Sequence, residues 1–236
     1  DLPFSYLIAD AKGTFIVPGR NLITSGLYRD VNKWRRRDMR VPQSRKSVVN
    51  DEWLNPFTVG TVCRGVALLE QLIQEQGADA ECYTFQGCCI TAKALRRGLQ
   101  LYRMAVDMFI AQQLPSLHAE GNAATKGVGA WIDLSGLLLP GAEEQSMVYE
   151  IRGGYIDDVQ LLQARIKTAG QRYSQFAAAW VQSLIHQRLR KQDITAADFD
   201  DLQQRGEAAH AEWVNLIKAD AEKEFALGDV DRAVLD

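Results

Sequence analysis

Two apolar heptad seams near the C-terminal end constrain this chain more than any other feature. Asp157, with Gln160 three residues on, can cap a helix. Val159, Leu162, Ile166, Ala169, Tyr173, Phe176 and Trp180 then follow at alternating spacings of three and four. After Arg190-Lys191-Gln192-Asp193, Thr195 with Asp198 makes a second cap, and Phe199, Leu202, Gly206, Ala209, Trp213 and Leu216 repeat the alternation. Two long helices joined by a short polar turn fold back antiparallel. A constant sum of facing residue numbers sets Phe176 against Gly206, Tyr173 against Ala209 and Ala169 against Trp213, with Trp180–Leu202 and Ile166–Leu216 at the flanks. Large residues thus meet small ones in three successive layers, as close packing requires. A single helix from Asp157 to Leu189 would be ~50 Å long, so the hairpin is expected to project as an arm suited to contact rather than catalysis.

The rest of the chain supplies shorter elements. Residues 4–9 and 14–17 are β-branched and aromatic runs around Asp10-Ala11-Lys12-Gly13, which predicts a β-hairpin. A short helix is expected from Leu27 to Asp38 around Val31 and Trp34. Asn55-Pro56 starts a helix carrying Val62, Val66, Leu69 and Ile73 and stopped by Gly77. Another begins near Thr91, carries Leu95, Leu99, Tyr102, Val106 and Phe109, and is expected to end before Pro115. Between them, periodicity does not separate a short strand from a loop over 82–90. The predicted class is mainly α (α+β), with the N-terminal hairpin packed on helices. The predicted organisation is a hairpin-plus-helix subdomain over 1–115, a Gly-rich linker or loop over 116–130 and a helical subdomain with the long hairpin over 131–236.

Composition excludes several function classes. With 47% hydrophobic residues in 236, the chain can bury a sizeable core without disulfides and is predicted to be a soluble, cytoplasmic protein. Its 27 basic residues against 30 acidic ones, net −3, argue against a general nucleic-acid binder. The longest nearly uncharged apolar run, Phe176 to Ile185, falls far short of the roughly 20 residues of a membrane span. Cys63, Cys82, Cys88 and Cys89 match no zinc spacing and are expected to be reduced thiols. His118, His186 and His210 share no ligand spacing either, so neither metal nor cofactor is expected. Nucleophile-elbow, zinc-protease and dinucleotide motifs are missing. Around Gly121 to Gly127, Lys126 precedes the second glycine, so no phosphate loop forms. Because strand-like sequence starts at once after Asp1, the chain is expected to be a piece of a longer one.

The one electrostatic anomaly runs from Tyr28 to Lys46, where eight basic residues (Arg29, Lys33, Arg35, Arg36, Arg37, Arg40, Arg45, Lys46) meet two acids, Asp30 and Asp38. Such a patch can hold phosphate or a sugar nucleotide through its Arg forks, with Trp34 as a stacking face. The bland alternative, given more weight, is pairing with the C-terminal helix, where Asp198, Asp200, Asp201, Glu207, Glu212, Asp220, Glu222 and Glu224 outnumber Arg205, Lys218 and Lys223; within the Lys-Trp-x-x-Arg-Asp-x-Arg run, Arg37 and Asp38 are expected to be buried or half-buried anchors. Asp133, within Trp131-Ile132-Asp133-Leu134-Ser135-Gly136-Leu137, is expected to be buried and to cap a short helix rather than to act as an acid or base.

At these residues the chain resembles an uncharacterised bacterial family, best represented among Bacteroidetes, whose longer members carry a left-handed parallel β-helix of hexapeptide repeats before a helical C-terminal region. Leu2-Pro3-Phe4-Ser5-Tyr6-Leu7, Val17-Pro18-Gly19, Arg29, Lys33-Trp34, Arg37-Asp38 and Arg40 are similar to the segment after that β-helix. Trp131-Ile132-Asp133, Gly136-Leu137, Pro140 and Glu143 resemble a second block, and the helices after Ile156 its end. The resemblance implies a non-catalytic accessory or interaction module, with an anionic small molecule and either a homo-oligomer or an intrachain β-helix as partners; membrane and nucleic acid are not among them. The alternative it implies is part of a transferase site acting on a nucleotide-sugar or acyl substrate. There Lys33, Arg37, Asp38 and Arg40 would meet Asp133, and the catalytic parts would lie largely outside this chain.

Overall fold

The computed structural model describes residues 1–11, 13–37, 50, 52–120 and 127–233; for 34–36, 118–120 and 224–233 it describes the backbone alone. The fold is mainly helical, with an N-terminal β-hairpin. In order, the described elements are β1 (Tyr6–Asp10), β2 (Gly13–Val17), a 3-10 turn (Arg20–Ile23), α1 (Ser25–Arg37), α2 (Pro56–Gln76), β3 (Cys82–Phe85), β4 (Cys88–Thr91), α3 (Ala92–Glu120), β5 (Trp131–Leu134), β6 (Leu137–Pro140), α4 (Gly141–Arg152), α5 (Val159–Gln171), α6 (Tyr173–Leu189) and α7 (Ala196–Ala233). Two compact units are formed, one from 1–38, 61–108 and 205–236, the other from 39–60 and 109–204.

In the first unit the strands form one sheet in the order β1-β2-β4-β3, antiparallel within each hairpin and parallel between β2 and β4. Tyr102 of α3 is its anchor. The side chain is fully buried and its hydroxyl donates to the Pro3 carbonyl at 2.6 Å, fastening the N-terminal segment. Burial pushes its pKa up to about 12, against smaller lowering effects of Ser5 and Gly19. The ring fits because Gly19 and Gly65 flank it: a Cβ would approach it to 3.2 and 2.9 Å. From α7, Trp213 donates its indole N–H to the Leu22 carbonyl at 2.7 Å and meets the Tyr28 ring at 5.9 Å.

In the second unit the β6 strand of the β5–β6 hairpin is buried and packs against α4, α5 and α6. Trp131 and Leu138 cluster with Phe176 and Ala177, and Leu137 and Leu139 cluster with Met147 and Ala169. The indoles of Trp131 and Trp180 hang on the carbonyls of Gly127 and Gly129 at 3.0 and 3.1 Å. At Gly127 a Cβ would run into the Phe176 carbonyl oxygen, so that position requires glycine.

Several expectations are corrected here. The helix predicted from Asp157 to Leu189 is two helices meeting at Arg172, and the first is capped by Asp158, whose carboxylate accepts from the Leu161 N–H at 2.8 Å. Within its own unit Ala169 packs with Leu137, Leu139 and Met147 and Phe176 with Trp131 and Leu138, and within the other Trp213 bonds the Leu22 carbonyl. On α7 the seam itself is buried at Leu202, Gly206, Ala209 and Trp213 but continues at Ile217 rather than Leu216. A straight helix of 3.6 residues per turn drifts away from a strict heptad in this direction. α3 runs on through Pro115 to Glu120 instead of stopping before it. Cys82 and Cys89, expected to be thiols, form a disulfide with Cα atoms 5.8 Å apart; Cys63 and Cys88 are thiols. Both bonded cysteines lie on one face of the β3–β4 hairpin, Cys82 opposite Thr91 and Cys89 opposite Thr84, so they are diagonal neighbours across the ladder.

Candidate anion-binding face on α1

α1 begins where Thr24 accepts a bond from the Leu27 N–H at 3.3 Å and Asp220 accepts from the Ser25 N–H at 3.0 Å, placing a carboxylate at the positive end of the helix. Asp220 also receives Arg20 at 2.6 Å. Burial raises the pKa of its carboxyl, but the Arg20 and Ser25 bonds and the nearby charges of Arg20 and Lys223 outweigh this and hold it below the ordinary carboxylate range.

Along the helix, Arg29, Lys33 and Arg37 recur every four residues and all three are exposed. A spacing of four sets them on one helix face. Arg29 approaches Asp30 at 3.4 Å, with both side chains about two-thirds exposed (69% and 67%), so water screens the pair. Lys33 and Arg37 have no ion-pair partner among the described residues. Of the acids of the C-terminal helix, Asp198, Glu212 and Asp220 pair with Lys191, Arg97 and Arg20, which lie outside the 28–46 stretch. Arg37 is therefore an exposed cation rather than a buried anchor. The side chain of Trp34 and all of Asp38 and Arg40 lie outside the described residues.

Asp133 belongs to the second unit and is corrected twice over. It is exposed, and it sits on β5 rather than at a helix start. Its carboxylate accepts the Gly136 N–H and closes the two-residue turn to β6. The buried acid of that region is Glu143, 1% exposed, which Arg165 reaches at 2.7 Å while also gripping Glu150 at 2.8 and 3.2 Å. The Glu150 bonds chiefly, with Glu143, push Arg165 further up against the opposing effect of its own burial. Glu143 shared a sequence block with Asp133, but no charge pattern singled it out. Its partner Arg165 lies 22 residues on, and only packing shows the pair.

Among the described residues no three His, Cys, Asp or Glu side chains gather to hold a metal ion, and no helix is long and apolar enough to cross a membrane. Residues 1–73 match the family profile of a domain of unknown function (DUF4954), and residues 116–230 match that of a second domain of unknown function (DUF6819). No curated protein and no solved structure matches the chain.

Proposed function

We propose that this chain is a non-catalytic helical interaction module of a longer β-helix protein and that the α1 face binds an anionic ligand of phosphate or sugar-nucleotide chemistry. The observation that supports this reading is the exposed row Arg29, Lys33 and Arg37, ion-paired with no described acid other than Asp30. Eight residues of helix separate the ends of the row by ~12 Å, a reach suited to a ligand with two anionic groups. The module works in the cytoplasm beside its β-helix or a second copy; there the exposed position of Cys82 makes the Cys82–Cys89 bond reducible.

Calorimetric titration with inorganic phosphate and with uridine diphosphate glucose, at low and physiological salt, tests the proposal. The sugar nucleotide is expected to bind, more weakly as salt rises, and to lose binding when Arg29, Lys33 and Arg37 are all replaced by Ala. Unchanged titration by that triple variant overturns the reading. Tight, salt-steep retention of single-stranded DNA, lost in the same variant, would make the face a nucleic-acid surface instead.

A further inference from the structure

We infer that the cleft formed by α6, the turn at 190–195 and the first residues of α7 binds a small organic amine with an apolar body. The cleft is a cavity of about 370 Å³ whose walls include Ile185 and Phe199 and whose polar groups are Gln182, His186, Gln192 and Asp193. A second cavity of about 540 Å³ also has Phe199 in its wall and is lined by apolar residues with Asp200 and Gln203. Both volumes fall within the roughly 300–1,000 Å³ of small-molecule sites.

The turn that carries Gln192 and Asp193 is pinned from both ends. Its Lys191 carbonyl receives His186 Nδ1 at 2.9 Å, and its Lys191 ammonium reaches Asp198 at 2.7 Å. Asp198 in turn accepts from the Thr195 N–H at 3.0 Å and hydroxyl at 2.7 Å. The Lys191 bond, with those from Thr195, holds the Asp198 carboxyl well below the usual range, so the clamp stays ionised at neutral pH. A carbonyl can only accept, so His186 carries its proton on Nδ1, and in the neutral ring Nε2 keeps its lone pair. No bond to that nitrogen occurs among the described residues.

The polar equipment therefore accepts hydrogen bonds more readily than it donates them. Each cavity has one carboxylate, Asp193 or Asp200, and neither has a lysine or arginine among its described lining residues. Among the described lining residues an anion would meet carboxylates and no cation, whereas an ammonium group can pair with a carboxylate while its apolar body lies along Ile185. This selectivity is opposite in sign to that of the α1 face, so the two sites take different ligands.

Phenethylamine, 2-phenylethanol and 3-phenylpropionate share a body and differ in charge, and titrating each into the whole chain while following backbone amide resonances tests the inference. Phenethylamine should shift Gln192, Asp193 and Ile194, with affinity falling about tenfold in Asp193→Asn and unchanged in the Arg29/Lys33/Arg37 triple variant. Asp193 is exposed, so its replacement leaves folding intact. The site is disproved if 3-phenylpropionate binds there as well as the amine, if Asp193→Asn leaves the amine's affinity unaltered, or if none of the three probes moves these resonances.

Discussion

The hairpins at 82–91 and 131–140 share a plan down to a single hydrogen bond, yet the second strand of one pairs onward in a sheet while that of the other is wholly buried against helices. Each has two four-residue strands joined by two residues of positive φ, Gln86 and Gly87 at 50° and 78° and Ser135 and Gly136 at 54° and 94°. Each runs straight into a helix whose first N–H bonds back to the residue before the hairpin, Ala92 to Glu81 at 2.9 Å and Gly141 to Ala130 at 2.8 Å. The side chains then diverge. In the first, Tyr83 and Ile90 are buried while Cys82, Thr84 and Thr91 face water, and β4 goes on to pair with β2. In the second, all of β6 is buried, and helices rather than strands cover it. Turn chemistry sets the hairpin, and the alternation or continuity of apolar residues sets what surrounds it.

That difference can be broken most severely in the second region. Arg165→Met takes the Arg165 guanidinium away from the buried Glu143 carboxylate, and urea denaturation should show a loss of about 3–5 kcal/mol. The double variant with Glu143→Gln should recover much of it. Among the described residues no such pair supports β3–β4, where a comparable loss requires cutting into Ile90 or Tyr83.

The helix that follows the first hairpin has its own vulnerability, to alkali. The folded Tyr102 phenol ionises at about 12 against about 10 for an open chain, so the folded state favours the protonated form. Its contribution is complete below pH ~10 and disappears as pH rises through ~12, a loss of about 2–3 kcal/mol. Denaturation midpoints across that window should fall, and Tyr102→Phe should flatten the part of the slope that Tyr102 carries. Tyr173, packed on Trp131 at 5.7 Å, is raised chiefly by burial and next by Glu52, so Tyr173→Phe measures the second region's share.

A smaller effect separates the hairpins by redox state. Reducing Cys82–Cys89 reopens a loop whose strands the turn already holds together, so Tm should drop by the equivalent of only about 1–2 kcal/mol, and not at all in Cys82→Ser. The second hairpin has no cysteine and should show no change.

The sequence was most legible where pattern and local chemistry coincide. The β1–β2 hairpin, the Asn55-Pro56 start of α2, where Asn55 accepts the Thr58 N–H at 2.9 Å, and the buried seam of α7 all follow from residues close together in the chain. The break at Arg172 and the partners of Ala169 and Trp213 were not legible, because a heptad seam shows that a face is buried and leaves open against what. The α1 cations were found as a cluster, but whether they are neutralised depends on where the α7 acids point. The pinned turn of the amine cleft was also hidden, since Lys191, Thr195 and Asp198 look like an ordinary helix cap.

The smallest predicted effect tests the shared plan itself. Both β3–β4 and β5–β6 turn on a pair with φ near +50° and then near +80–95°, the backbone of a type I′ hairpin turn. The second position is glycine in each, which meets that demand without cost, but the first is Gln86 or Ser135, side chains that are uncommon at positive φ. Asn tolerates this conformation better, and Asn-Gly is the favoured pair for the turn. Gln86→Asn and Ser135→Asn should therefore each stabilise the protein by a few tenths of a kcal/mol, seen as a small rise in Tm, even though one hairpin pairs onward in a sheet and the other packs against helices. Because Gln86 and Ser135 are both exposed, the substitutions change backbone preference rather than packing. Equal gains would mean that the turn is an independent local unit in both places. A gain at Gln86 with a loss at Ser135 would mean that the bond from the Gly136 N–H to Asp133, which the first hairpin lacks among its described contacts, has made Ser135 part of a larger arrangement.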